Sequence, residues 1–275
     1  MSHQRSTKRG SLRIAKFALF GLIALAGLSG CGSSSGGDGS SLPALVVNSL
    51  MDDASPAAGT VTLRSALASA ASGQRISFDP TLNGSTIDLI FVGEEHTVLT
   101  GEVMGFDDAN NISFLVGYFD RDYGRSALFA DKNVVIDASN LADGITVRWA
   151  GPEPARVLAV SGDLTLRNVS ITGGDSEFDV AADIGQHPDD NQTSTLARGA
   201  GLAVWGVATL SDCAIYDNHA LGDDSDTSRD GGAYGGGVYA DTVVMDNCIV
   251  SGNTVYGGGA AGGGVFSVGG RDTGA

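Results

Sequence analysis

Three segments of this chain align without gaps: LTLRNVSITGG at 164–174, ATLSDCAIYDN at 208–218 and VVMDNCIVSGN at 243–253. Their apolar positions fall into columns. Leu164, Ala208 and Val243 share one, Leu166, Leu210 and Met245 a second, Val169, Cys213 and Cys248 a third, and Ile171, Ile215 and Val250 a fourth. Within each segment apolar and polar residues alternate at period two, an Asn or Asp breaks the phase once, and alternation resumes. That pattern predicts two short strands joined by a one-residue bend, each with one face inward. A single repeat cannot bury its apolar face alone, whereas repeats stacked ~4.8 Å apart share one continuous core. The expected fold is therefore all-β, a right-handed parallel β-helix.

A second element precedes two of these segments and then recurs: GAGLA at 199–203, GGGVY at 235–239 and GGGVF at 262–266. Gly235 to Gly262 is 27 residues, about one turn of a three-strand solenoid, and Gly199 to Gly235 is 36. The acidic stretch 222–230 supplies the excess, and a longer loop of similar character spans 175–198. Both insertions leave at the same turn, so both are expected to project from one edge of the stack. Glycine, at 41 of 275 residues, is about twice its usual share, because the turns require positive φ and close backbone approach. It shows no every-third-residue period, which excludes collagen, and the 42% hydrophobic content excludes wholesale disorder. Asn218 and Asn253 fall in one column, which suggests a ladder of side-chain amides.

The GGG-[VI]-[YF] and [IV]-x-x-N signatures resemble the repeats of bacterial polymorphic outer membrane proteins and of pectate-lyase-like right-handed β-helices. The resemblance implies a surface or secreted β-helix with an adhesive or polysaccharide-active role. It is partial: Ile215 and Val250 stand where the polymorphic proteins often carry Phe, and no translocator barrel is written before residue 275. Residues 44–80 fit as a cap. Val46–Ser49 reads as a strand, Asp52–Pro56 as a turn, and 62–73 as a short amphipathic helix with Thr62 as N-cap and Gly73 as its stop. Leu63, Ala66, Leu67 and Ala70 lie on its inner face, and Ile76 and Phe78 begin the first coil. The pattern V-N-S…D…T-L-R-S-A-L…F-D resembles the cap module that opens many bacterial β-helices, where a helix covers otherwise exposed strand edges. The coils occupy 81–275, with Thr86–Val92, Ile112–Val116, Val134–Asp137 and Ile145–Trp149 as irregular early strands. Only seven residues follow the strand at 262–268, with no polar terminal cap among them. The expectation there is either a truncated product or an end-to-end partner on the last coil.

The N-terminus reads as an address. Residues 1–16 are polar and basic, and 17–28 form an apolar run of 12, nearer a signal-peptide core than the ~20 residues of a spanning helix. The run ends in Leu28-Ser29-Gly30-Cys31, which resembles a bacterial lipobox. That implies a signal peptide over 1–30, cleavage before Cys31 and acylation of Cys31, whose two or three acyl chains would anchor the protein to a membrane. Residues 31–43 are a Gly/Ser tether, in which the ten after Cys31 reach roughly 16–19 Å as a coil. Gly32 stands where an aspartate would signal inner-membrane retention in Gram-negative bacteria, so by resemblance to that sorting rule the expected address is the outer membrane.

Five of the 16 basic residues lie in the first 30, which leaves 11 against 32 acidic residues in the remainder. Such a polyanion repels nucleic acid and anionic lipid. Asp175, Asp179, Asp183, Asp189 and Asp190 fall in one inserted loop, and Asp223, Asp224, Asp226 and Asp230 in the other. Oxygen clusters on adjacent loops suit Ca²⁺, although the spacing matches neither an EF-hand nor a β-roll nonapeptide. The alternative is acidity for solubility, and no cofactor is expected otherwise. For polysaccharide cleavage, elimination needs a cation and an Arg or Lys base, and hydrolysis needs paired carboxylates. Asp189, Asp190, Arg198, Asp226 and Arg229 are the candidates, and mutual ion pairing is the competing role of the arginines. His96, His187 and His219 lack the spacing of a zinc site. Cys213 and Cys248, as vertical neighbours, lie within disulfide range; the favoured alternative is a buried thiol pair filling space. Trp149, Trp205, Tyr216, Tyr234, Tyr239 and Tyr256 either stack on sugars or pack in ladders between coils. The function expected is a lipid-anchored envelope protein with a structural, adhesive, or carbohydrate- or partner-binding role. The second expectation is a pectate-lyase-like polysaccharide lyase or hydrolase.

Overall fold

In a computed structural model of the chain, the three repeats lie side by side, parallel and in register. Leu164 and Leu166 sit opposite Ala208 and Leu210, which sit opposite Val243 and Met245, while Ile171, Ile215 and Val250 form the parallel column one strand on. The structure describes residues 42–93, 98–107, 112–122, 124–177, 197–222 and 232–269, all within one compact unit, Gly39–Ala275. Leu164, Leu166, Leu210, Ile171 and Ile215 are buried, and their alternates Thr165, Arg167, Thr209 and Ser170 are half-exposed. The phase break has a backbone cause. Asn168, Asp212 and Asn247 take φ of 54°, 55° and 51°, the left-handed region that Asn and Asp tolerate best among residues with a Cβ. One such residue turns the chain between faces without spending a loop.

The main sheet runs Leu45–Val47, Arg75–Phe78, Val134–Asp137, Leu164–Arg167, Leu202–Ser211, Val238–Asp246, Val265–Ser267, and Ser126–Ala130 and Arg156–Val160 join it through the first half of Leu202–Ser211. A register shift between Val204 and Val207 marks where the long strands bend from one face to the next. A second sheet orders Ile249–Ser251, Ala214–Tyr216, Val169–Thr172, Ile145–Trp149 and Thr86–Leu89, and a third holds Asp175–Glu177, His219–Leu221 and Thr254–Tyr256. Every pairing among these sheets is parallel, so the described part is a mainly β protein whose core lies between parallel sheets. Gly199, Gly235 and Gly262 open equivalent turns at φ 59°, 65° and 69°, which accounts for the recurring glycine there.

Asn218, wholly buried, ties three passes of the chain together. Its Oδ1 accepts from Gly174 N at 2.9 Å, and its Nδ2 donates to Tyr216 O and to Asn253 Oδ1 at 3.0 and 2.9 Å. Asn253 Nδ2 in turn donates to Ile215 O at 2.8 Å. Removing a buried side chain that satisfies several backbone groups leaves each of them without a partner. Asn218→Ala is therefore expected to lower stability by about 2–3 kcal/mol in denaturant titration, and Asn253→Ala, half-exposed, by less. Equal losses would contradict this.

The cap follows the sequence at its start. Thr62 caps the helix Leu63–Ser69 in a capping box with Ser65, and Leu63, Ala66, Leu67 and Ala70 are buried. Two expectations are corrected. The helix stops at Ala70 rather than Gly73, because Gln74 Oε1 accepts from Ala71 N and the chain turns there. Ile112–Val116 is no early coil strand: it belongs to an antiparallel hairpin, Val98–Asp107 against Ile112–Asp122, that leaves the parallel stack between Gly93 and Gly124.

Candidate functional site

The two acidic insertions share one stem. Asp175–Glu177 pairs with His219–Leu221, Asp175 opposite His219 and Glu177 opposite Leu221. The chain returns as Ala197–Arg198 and Ala233–Tyr234, also paired, with Arg198 opposite Tyr234. The described strands that flank 178–196 and 223–231 thus pair with each other in neighbouring passes. A small apolar cluster of Ala197, Ala200, Ala220 and Ala233 seats the stem, with Val255 against it. Small residues are required: at Gly174 an added Cβ would collide with the Ala200 carbonyl.

Beside the stem, registers place Phe129, Ala159, Ala203, Tyr239 and Phe266 in one column. Their neighbours Leu128, Leu158, Leu202 and Val238 enter the main core, so by the period-two rule this column belongs to the opposite face. The Arg198 guanidinium lies over the Tyr239 ring, 5.2 Å from its centroid. Tyr239 stacks on Phe266 at 5.8 Å and 6°, and Tyr234 meets Phe266 at 4.8 Å. Tyr239 is itself buried, 7% exposed, its ring covered by Arg198 and Phe266, so it packs between passes as Trp149 does. Arg198, Tyr234 and Phe266, half-buried, are the parts of this group that reach solvent.

Of the residues singled out for catalysis, Arg198 alone lies in the described part. Asp189, Asp190, Asp226 and Arg229 lie outside it, as do the calcium candidates Asp223, Asp224 and Asp230, and Asp179, Asp183, His187, His96 and Cys31. Among the described residues no group of three or more His, Cys, Asp or Glu side chains converges on one point. His219 Nδ1 lies 2.6 Å from Thr254 Oγ1 across two passes. Of the six ring residues singled out, Trp149 is buried with its Nε1 donating to Glu153 O at 2.9 Å, which makes it a packing residue.

Cys213 and Cys248 are neighbours in adjacent strands, since Ile249 N donates to Cys213 O at 2.9 Å, and both are free thiols, Cys213 buried and Cys248 half-buried. Each sulfur sits 3.2 Å from the carbonyl two residues before it. Burial, aided by the Cys248 side chain, pushes the Cys213 thiol up to about 11. Thiolate is the alkylating species, so at pH 8 iodoacetamide is expected to label Cys248 many-fold faster than Cys213, with Cys213 reacting on unfolding; equal labelling of the native protein, read by peptide mass, would contradict this burial.

Sequence reasoning missed a buried ion pair in the cap. Arg64 Nε and Nη2 donate to Asp52 Oδ1 and Oδ2 at 2.5 and 2.9 Å, and Asp52 Oδ2 also accepts from Ile90 N and Phe91 N at 2.7 and 2.9 Å. Arg64 further donates to Phe91 O and Ala127 O, both at 2.6 Å. Arg64 borders a cavity of about 500 Å³ whose walls include Leu67, Phe91, Val92, Leu128 and Phe129. The only signal was that Arg64 is the sole charged residue of its helix. A second carboxylate, Asp137, lies between Arg167 and Arg75 at 3.3 and 3.7 Å. Burial alone would raise it, but hydrogen bonds from Ser139 and Arg167 together outweigh that and hold it below the ordinary 3.8. No protein-family model, curated protein or solved structure matches this chain.

Proposed function

We propose that this chain is an exported right-handed parallel β-helix, anchored in the cell envelope through acyl chains on Cys31, whose side near the acidic loops binds a polysaccharide or a surface protein. The observation that supports binding most is the common stem of the two insertions, with the half-buried Arg198, Tyr234 and Phe266 beside it. Aromatic rings take up sugar faces, and a guanidinium fixes hydroxyl or carboxylate groups. The address rests on the lipobox-like Leu28–Cys31 and the apolar run before it. By resemblance to the lipoprotein sorting rule, Gly32 after the cysteine supports outer-membrane placement.

The test is a polysaccharide panel, neutral and uronate, presented to the Cys31→Ser protein with and without calcium, with retention and ultraviolet absorbance both read. Retention of one polymer class, weakened at least tenfold by Arg198→Ala and without absorbing product, is the expected result. An unsaturated absorbing product would replace binding by elimination and make the chain a lyase. No retention of any polymer, with Arg198→Ala indistinguishable from the parent, would remove the polysaccharide from the proposal.

A further inference from the structure

Large apolar side chains exposed to solvent gather at the two ends of the stack: Val244, Ile249, Tyr256 and Val268 in the last passes, and a larger set at the beginning. In the first pass Leu42, Val46, Leu50, Met51, Ile90 and Phe91 are exposed, Met51 to 57% and Phe91 to 56%. Between them and the last passes, among the described residues, Val207 alone is comparable. Four of the six form one group. Leu50 and Met51 directly precede Asp52, and the Asp52 carboxylate holds the backbone N–H groups of Ile90 and Phe91. The buried Arg64, bonded to Asp52 and to Phe91 O, fixes that junction. The backbone beneath these exposed side chains is thus fixed at one junction, and exposed apolar side chains grouped in this way mark a contact site.

The occupant is argued from the chain itself. Leu42 opens the described part, and ten residues separate it from Cys31, a span of at most about 40 Å even when fully extended. An acyl anchor at Cys31 therefore attaches the chain at this end of the stack, where Leu42 and the cap lie. Two cations of the cap region are committed: Arg64 to Asp52, and Lys132 to the carbonyls of Ala68 and Ala70. With the whole chain at −16, attraction to anionic headgroups offers nothing, and apolar contact is what remains.

We infer that Leu50, Met51, Ile90 and Phe91 form a membrane-contact surface that seats the cap of the anchored protein on the bilayer interface. This rests on the acylation of Cys31 proposed above. Four side chains are too few to bind a bilayer from solution. Held there by the anchor, they give the cap a fixed pose on the bilayer interface.

Acylated protein in phosphatidylcholine vesicles is compared with Cys31→Ser protein in buffer, using dilute peroxide and peptide mass to follow oxidation of Met51 and, as internal reference, the half-buried Met245 near the other end. The acylated protein is expected to float with vesicles and Cys31→Ser to stay behind, with Met51 oxidised at least fivefold more slowly on vesicles and Met245 unchanged. Phe91→Ser with Ile90→Ser, both at exposed positions, is expected to restore Met51 oxidation while flotation persists. Flotation with unprotected Met51 would overturn the membrane-contact surface and leave the anchor standing. Loss of flotation would overturn the anchor, and the contact surface with it.

Discussion

Asp52→Ala is expected to cost about 3–5 kcal/mol, the largest single loss at any position considered, and to lower the thermal midpoint by roughly 10 °C in a domain of this size. The Asp52 side chain is fully shielded from solvent, as is nine-tenths of Arg64's. Truncating the acid strands a buried guanidinium and leaves the N–H groups of Ile90 and Phe91 without their acceptor. Breaking one partner of a buried pair is far more damaging than replacing both. The double variant Asp52→Ala with Arg64→Met should accordingly recover part of the loss, and Asp52→Asn, which keeps an acceptor for the two N–H groups, should recover another part. A single-variant loss below 1 kcal/mol in denaturant titration would mean that the pair does not hold the cap to the stack.

Leu210→Ala is expected to cost about 2–5 kcal/mol. Leu210 is wholly buried between Leu166 on one side and Met245 on the other, so the neighbours above and below cannot close the cavity without moving their own strands. Leu166→Ala should cost a similar amount. Met245→Ala, half-buried, should cost less than half as much. The graded series is what distinguishes a column from a compact cluster. If Met245→Ala were as damaging as Leu210→Ala, the order of stacking would be wrong.

The columns were legible because a period-two strand buries alternate residues and a repeat in register places like on like; Leu166, Leu210 and Met245 needed no further information. The left-handed bends at Asn168, Asp212 and Asn247 were written as breaks in that period. The hairpin Val98–Asp107 with Ile112–Asp122 was not legible. A strand pairing antiparallel with its neighbour and one pairing parallel with a distant pass carry the same local alternation, so Ile112–Val116 read as another coil. The helix end was misplaced because Gly73, with φ 74°, does mark a turn, but one that follows the helix by three residues. The Asp52–Arg64 pair left almost no local trace, since its partners are twelve residues apart and each reads alone as a solvated charge. At the candidate site, insertion lengths revealed that the two loops share a stem, while the Arg198–Tyr239 contact depends on strand register that spacing alone did not define.

The central claim is that successive passes of the chain stack at one strand spacing each. Registers place Arg75, Val135, Thr165, Thr209 and Val244 in a single file across five strands. Pulsed electron resonance between spin labels at positions 75 and 244 should give a backbone separation of about 19 Å, four strand spacings, and about 14 Å from position 135. A separation beyond 30 Å, or one that fails to shorten when the label moves from 75 to 135, would contradict the stack.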